Sequence, residues 1–290
     1  MRPAACMLLL AALAPLPARA AGLLVPAYFY PNATGINYWM QLPAAGAVPL
    51  TAILNPNNGP GSSTDPQYTA ALAQVHAAGG RVTGYVHTQY GARAAATVQG
   101  EVDQYAALYN VDGIFVDEMS SQSADVPYYA ALYAYIKNRN AAWNVVGNPG
   151  TNTVEDYLKP ATRGADTLVI YEDKAAHLAA FAPAAWTANY SADHFAAIIH
   201  TQPDANAMRA ELGAASLANV GWVYITDDVL PNPYDTLPSY WNAEIAALAP
   251  AAPAANSGGG AWGSFAVPLL LLALRAGQKR FHRTGISSVI

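Results

Sequence analysis

Three carboxylates stand where chemistry is expected. The apolar run Val111–Val116 leads directly into Asp117 and Glu118, and the run Thr167–Tyr171 leads into Glu172. Two carboxyl groups can cleave a glycosidic bond when one protonates the leaving oxygen and the other attacks or stabilises the anomeric carbon, at separations of roughly 5–9 Å. Neighbouring parallel strands lie about 4.8 Å apart, so carboxylates two strands apart meet that requirement. Taken singly, Asp117 reads equally well as a helix cap, and Glu172 as an ion-pair partner of Lys174. Their shared position at strand ends favours the catalytic reading, with Glu118 orienting the sugar or tuning its neighbours.

Other polar residues gather at the ends of apolar runs. They are Tyr28 and Tyr30, the turn Asn55–Gly61, His87 with Tyr90 and Arg93, Asn148, Tyr171, His200, and Asp227. Only 11% of the residues are charged, so this clustering carries weight. Tyr28, Tyr30 and Tyr171 are expected to wall a sugar cleft by stacking or hydrogen bonding. Asn55 and Asn148 suit hydroxyl or acetamido groups, and His87, Tyr90, His200 and Asp227 complete the expected substrate-binding set. His87, His200 and Asp117 would fit a metal-dependent hydrolase barrel, but the His-x-His pair that opens such barrels is absent. There is no Gly-x-Ser-x-Gly nucleophile motif. Asn57–Gly61 lacks the Lys-Ser/Thr pair of a phosphate loop. No metal and no cofactor is therefore expected.

The elements that must hold these groups alternate. Eight short apolar runs read as strands: 23–29, 48–54, 81–87, 111–116, 143–147, 167–171, 195–200 and 220–226. Helical patterns fall between many of them, over 65–78, 93–109, 125–139, 206–217 and 239–248, while the first and sixth connections are less regular. Continuous apolar strands joined by helices mean a parallel sheet covered on its outside. Eight such units in about 230 residues favour an α/β fold of the (β/α)8, TIM-like barrel type as a single domain over residues 21–249. An open doubly wound sheet predicts a glycine fingerprint after the first strand, and Tyr28–Asn32 has none. In the barrel, catalytic groups belong at the carboxyl ends of the strands.

The chain has 290 residues, 53% of them hydrophobic, and a formal net charge of -5. That composition excludes extensive disorder, and the acidic balance argues against nucleic acid as a partner. Residues 1–20 read as a secretory signal, with Arg2, an apolar run and Ala18-Arg19-Ala20 before the cut. The single cysteine, Cys6, lies inside that run, so no disulfide framework is expected. Residues 250–260 form a Pro/Ala/Gly linker. Residues 261–290 combine an apolar stretch broken by Pro268 with a basic end. A plain membrane anchor is one reading of that tail. The expected partners are a polysaccharide substrate, the membrane through transient contact of residues 261–283, and processing peptidases. The expected location is secreted or attached to the cell surface, at the bacterial periplasm or outer surface.

Several motifs carry a family resemblance. Leu24–Pro31, Asn55–Gly61, Gly84–Thr88 with Tyr90 and Arg93, Val111–Glu118, Asn148–Gly150 and Tyr171-Glu172 resemble the spherulation-specific family 4, the spherulin-4 family, over residues 22–248. The resemblance implies glycoside hydrolase family 135 and a (β/α)8 fold. It implies endo-acting cleavage of α-1,4-linked N-acetylgalactosamine in a partly deacetylated, cationic biofilm exopolysaccharide. The family's acids then fall on Asp117, Glu118 and Glu172. The tail resembles the glycine-glycine sorting signals of Gram-negative bacteria. The chain departs from the family in its short loops, which lack a long insertion over the cleft. A non-catalytic carbohydrate-binding barrel, or a hydrolase of another α-linked polysaccharide, are the alternatives.

Overall fold

The computed structural model describes residues 21–32 and 34–250. The expected signal segment, nearly all of the linker and the whole tail lie outside these residues. Among the described residues no helix is long and apolar enough to cross a membrane.

Eight parallel strands close into a barrel in sequence order. They are β1 (Gly22–Ala27), β2 (Leu50–Leu54), β3 (Arg81–His87), β4 (Gly113–Asp117), β5 (Asn144–Gly147), β6 (Thr167–Lys174), β7 (Phe195–His200) and β8 (Trp222–Ile225). Both faces of most strands are buried, which is why they read as unbroken apolar runs rather than alternating ones. Five α-helices cover the outside: α1 (Pro66–Ala77), α2 (Ala95–Leu108), α3 (Val126–Arg139), α4 (Ala205–Leu212) and α5 (Trp241–Leu248). The β1–β2 and β6–β7 connections carry only 3-10 turns, in line with their irregular sequence, and so does β5–β6 at Glu155–Tyr157.

Local chemistry sets the boundaries. The Asp65 carboxylate accepts from the Gln67 backbone N–H, and Pro66 occupies the first turn, so α1 starts there. Asp204 caps α4 by accepting from the N–H groups of Asn206 and Ala207. That helix stops at Leu212, short of the expected Leu217, because Gly213 follows and the chain resumes only as a 3-10 turn over Ala215–Leu217. The β3–α2 contact needs a glycine. A Cβ on Gly84 would lie 2.5 Å from the ring of Tyr105, which is fully buried and donates its hydroxyl proton to the Leu54 carbonyl.

The seam between β8 and β1 is short, as is that between β5 and β6. At the first, pairing covers Gly22↔Trp222 and Leu23↔Val223 only. Thr226 N–H donates to Ile199 of β7, so the Ile225 N–H points the other way, where pairing has ended. Glu244 of α5 fills the gap: its Oε1 accepts from Ile225 N at 2.8 Å, while Oε2 is buried with no partner. Burial pushes the Glu244 carboxyl up to about 8, against the opposing effect of that single backbone donor.

Candidate active site

The site forms at the carboxyl ends of β3 to β6. His87 and Asp117 are register partners on adjacent strands, so both face the same side of the sheet. Tyr85, two residues before His87, and Phe115, two before Asp117, face that side too, and their rings stack at 6.3 Å. On β6 a register shift between Val169 and Tyr171 precedes Glu172, which turns inward towards Asp117.

One amide joins the two acids. Asn148, just after β5, donates from Nδ2 to Asp117 Oδ1 at 2.7 Å and to Glu172 Oε2 at 2.6 Å. Each acid then accepts a phenol on its other oxygen: Tyr85 donates to Asp117 Oδ2 at 2.7 Å, and Tyr234 donates to Glu172 Oε1 at 2.5 Å. Tyr28 packs edge-on against both phenol rings, 5.6 Å from each. The result is a closed chain of contacts from Tyr85 through Asp117, Asn148 and Glu172 to Tyr234, completed by Tyr28. The Asn148 amide can take only this orientation beside anionic acids, since turning it would aim its carbonyl at both. Its own Oδ1 stays buried without a partner, a cost the two charge-assisted bonds offset. Gly150 has a positive φ of 65°, and a Cβ there would touch the Glu172 side chain at 3.5 Å.

The acids differ electrostatically. Burial raises both carboxyls, and the Asp117 charge raises Glu172 further. Three donors oppose this at Asp117 (Tyr85, the Glu118 backbone and Asn148), where the Glu118 charge acts with burial, and two oppose it at Glu172 (Tyr234 and Asn148). The donor count favours the charged form more at Asp117 than at Glu172. The three tyrosines keep their protons: burial raises Tyr28, Tyr85 and Tyr234 far above the ordinary phenol value.

Of the residues singled out from sequence, the structure brings together Asp117, Glu172, Asn148 and Tyr28. Glu118 and His87 stand beside them but bond to each other, with His87 Nδ1 3.3 Å from Glu118 Oε2. Tyr90 is exposed on the rim. Tyr30 is also on the surface, its hydroxyl donating to Asp65 at 2.9 Å. The expected substrate-binding roles of four residues meet different partners. Tyr171 follows Glu172's neighbour position to the opposite face of the strand, where it packs on Phe181 at 4.8 Å and donates to the Lys174 carbonyl. Asn55 closes its own loop by accepting from Gly59 N. His200 is buried beside Thr201, and Asp227 accepts from the Ser239 backbone and hydroxyl. Among the described residues no cluster of three or more metal-ligating side chains is present. Two site residues were not singled out. Tyr85 shares the inward parity of His87 and was legible on that ground. Tyr234 lies 62 positions from Glu172 in the β8–α5 loop, with no sequence pattern to mark it.

Solved structures share this barrel. The Sph3 protein of Aspergillus clavatus, crystallised in complex with GalNAc, superposes with a TM-score of 0.68 at 24% identity, covering 79% of this chain and 98% of that one. The cyclic α-maltosyl-(1→6)-maltose hydrolase of Arthrobacter globiformis gives 0.50 at 12% identity, covering 80% and 78%. In sequence, Spherulin-4 of Physarum polycephalum is 35% identical over 238 residues, which span 78% of this chain and 69% of that protein. Residues 22–248 match the family Spherulin4, described as spherulation-specific family 4. The chain therefore belongs to the spherulation-specific family 4, and its matched segment is the barrel that carries the two joined acids.

Proposed function

We propose that this protein is an endo-acting glycoside hydrolase of α-1,4-linked (N-acetyl)galactosamine polysaccharide. The observation that carries the proposal is the Asp117–Asn148–Glu172 bridge. One nitrogen 2.7 and 2.6 Å from the two acids keeps their facing oxygens within about 5 Å, close enough for both carboxyl groups to act on one glycosidic bond. Asp117, whose charged form three donors support, attacks the anomeric carbon. Glu172 gives its proton to the leaving oxygen, then takes one from the water that releases the glycosyl intermediate. Asn148 is buried, so the glycan approaches the pair from the open mouth. Tyr85 and Tyr234 hold the second oxygens and so fix both carboxyl planes.

The substrate class rests on family membership, and on the relative crystallised with GalNAc. The acids Asp117, Glu118, Glu172, Asp227 and Asp228 around the mouth favour a cationic, partly deacetylated polymer over an acidic one. Export belongs to the same proposal, and it is supported by the sequence pattern of residues 1–20 and 261–290 alone.

The test is reducing-end release from α-1,4-galactosaminan at several acetylation levels. Wild type is expected to release oligosaccharides of hexosamine mass, and Glu172→Gln to bind without turnover. Turnover at the wild-type rate in Glu172→Gln refutes the assignment. Binding by wild type without any release would instead identify a carbohydrate-binding barrel.

A further inference from the structure

At the amino ends of the strands, on the face opposite the acids, the barrel holds a cavity of about 210 Å³. Thr51, Arg81, Thr83, Asn144, Thr167 and Trp222 line it, each near the start of its strand. Strand parity explains why they converge. Thr83 has the parity of Tyr85 and His87, so it faces the barrel interior, and Arg81 two residues earlier does too. Register carries the same facing round the ring. Arg81 pairs with Thr51, Thr83 with Gly113, and Gly113 with Asn144. Thr167 pairs with Val146, two residues beyond Asn144, and both Gly22 and Ala196 pair with Trp222.

This floor layer is unlike an ordinary barrel interior. Bulky branched side chains normally fill such layers and leave no room. Here small and polar residues occupy the positions instead. Gly22 admits the Trp222 ring, since a Cβ there would lie 2.5 Å from it. The indole N–H donates to the Asp193 carbonyl at 3.2 Å, and the Thr167 hydroxyl donates to the same carbonyl at 3.0 Å, so both are fixed in place. Among the described residues, the side chains of Thr51, Arg81 and Asn144 meet no hydrogen-bond or ion-pair partner. Thr51 is nevertheless buried. A buried hydroxyl normally finds a partner, so this one points to an occupant of the cavity.

Size and charge restrict that occupant. The cavity is smaller than the roughly 300–1,000 Å³ of drug-sized sites, which suits one sugar ring. At its rim Asp166 is engaged by Lys137 at 2.6 Å and Asp112 by His76 at 2.8 Å, while Arg81 brings a cation of its own. Neither sign dominates, and no cluster of metal-ligating side chains is present among the described residues. A neutral ligand therefore suits the cavity better than an ion. A pyranose matches what is offered. Its C–H face packs on an indole, and its hydroxyls exchange hydrogen bonds with a hydroxyl, an amide and a guanidinium.

We propose that the floor of the barrel is a second binding site, for a single neutral pyranose, with Trp222 as its apolar wall and Thr51, Asn144 and Arg81 as its polar contacts. The site stands apart from the glycosidase reading, since no group of the acid pair takes part in it. Its polar side chains sit on strands rather than loops, so little ordering entropy is spent when the sugar arrives.

The experiment follows the Trp222 indole N–H by nuclear magnetic resonance in isotope-labelled protein titrated with galactose. Loss of one indole signal in Trp222→Phe assigns it, and the remaining indole signals report that the variant folds. Galactose is expected to move the Trp222 signal to saturation. Thr51→Val and Arg81→Met should each weaken that binding roughly fivefold, the worth of one hydrogen bond. Thr51→Val keeps the β-branched shape, so the strand is preserved. A Trp222 signal that stays put throughout the titration overturns the site and leaves the cavity to water. The same Kd in wild type, Thr51→Val and Arg81→Met overturns it too, because the sugar would then lie elsewhere. Movement confined to the Asn148 side-chain amide would place galactose at the mouth alone, against the floor site and without harm to the glycosidase reading.

Discussion

Glu244 makes the barrel's stability depend on pH in a way that can be isolated. Its carboxyl is fully buried under the β8–β1 seam, with one backbone donor on Oε1 and nothing on Oε2. Unfolded, it titrates near 4.5; folded, it is pushed up to about 8. The folded state thus prefers the protonated form. Stability from this group is complete below pH 4.5, falls as the unfolded chain ionises, and levels off above the folded value. At about 1.4 kcal/mol for each pH unit between the two values, the loss between pH 4.5 and 8 amounts to about 5 kcal/mol. That is a large part of the roughly 5–15 kcal/mol that holds a typical domain together. Glu244→Gln removes the titration and keeps the carbonyl that accepts from Ile225 N. The assay is urea unfolding of both proteins from pH 4.5 to 9. The two should be similar in stability at the acid end, and the glutamine variant should gain as pH rises. Asp117, Glu172 and the other raised carboxyls are common to both proteins, so they cancel in the difference. Parallel stability curves would refute the reasoning.

Two further outcomes follow from the same contacts. Tyr234→Phe removes the donor that holds Glu172 down, so the Glu172 carboxyl should rise further. A general acid works below its own titration, and the alkaline limb of the kcat/KM profile should therefore shift upward, with a lower rate at the optimum; an unmoved limb would separate Tyr234 from the acid. Gly84→Ala places a methyl 2.5 Å from the buried Tyr105 ring and should cost about 1–3 kcal/mol in thermal or urea unfolding, with no effect expected if β3 and α2 can part freely.

The barrel was legible because burial on both faces writes itself as continuous apolar runs. The ends of β3 and β7 fall where the sequence pattern places them, at Arg81–His87 and Phe195–His200. Asp117 and Glu172 stood out for a related reason: each follows an apolar run, Asp117 as the last residue of β4 and Glu172 inside β6, which continues past the expected Tyr171 to Lys174. What was illegible depended on orientation or on distance along the chain. Tyr171 adjoins Glu172, and neighbours on a strand point apart, so a residue at a strand end is not by that fact in the mouth. Asn55 and Asp227 are polar at strand ends because their loops need internal acceptors. The α4 boundary moved because Gly213 outweighs the alanines beyond it. Tyr234 reaches Glu172 only through the closure of the whole barrel, which no local pattern encodes.

The acid pair shows why the framework needs that closure. Asp117 and Glu172 sit in nearly matching surroundings, each with one phenol and a share in one amide. An aspartate starts below a glutamate, so matching surroundings already leave Asp117 the lower of the two. The surroundings differ further: the Asp117 charge raises Glu172, the Glu118 backbone gives Asp117 a third donor, and the Glu118 charge raises Asp117 in turn. The left-handed turn at Glu118 therefore does two things at once. It gives the Asp117 carboxylate a backbone donor, and it places the Glu118 carboxylate against the β3 loop, from where its charge still raises Asp117. The two acids that adjoin after β4 thus meet different partners, Asp117 the phenol of Tyr85 and the amide of Asn148, Glu118 the backbone of the β3 loop and His87.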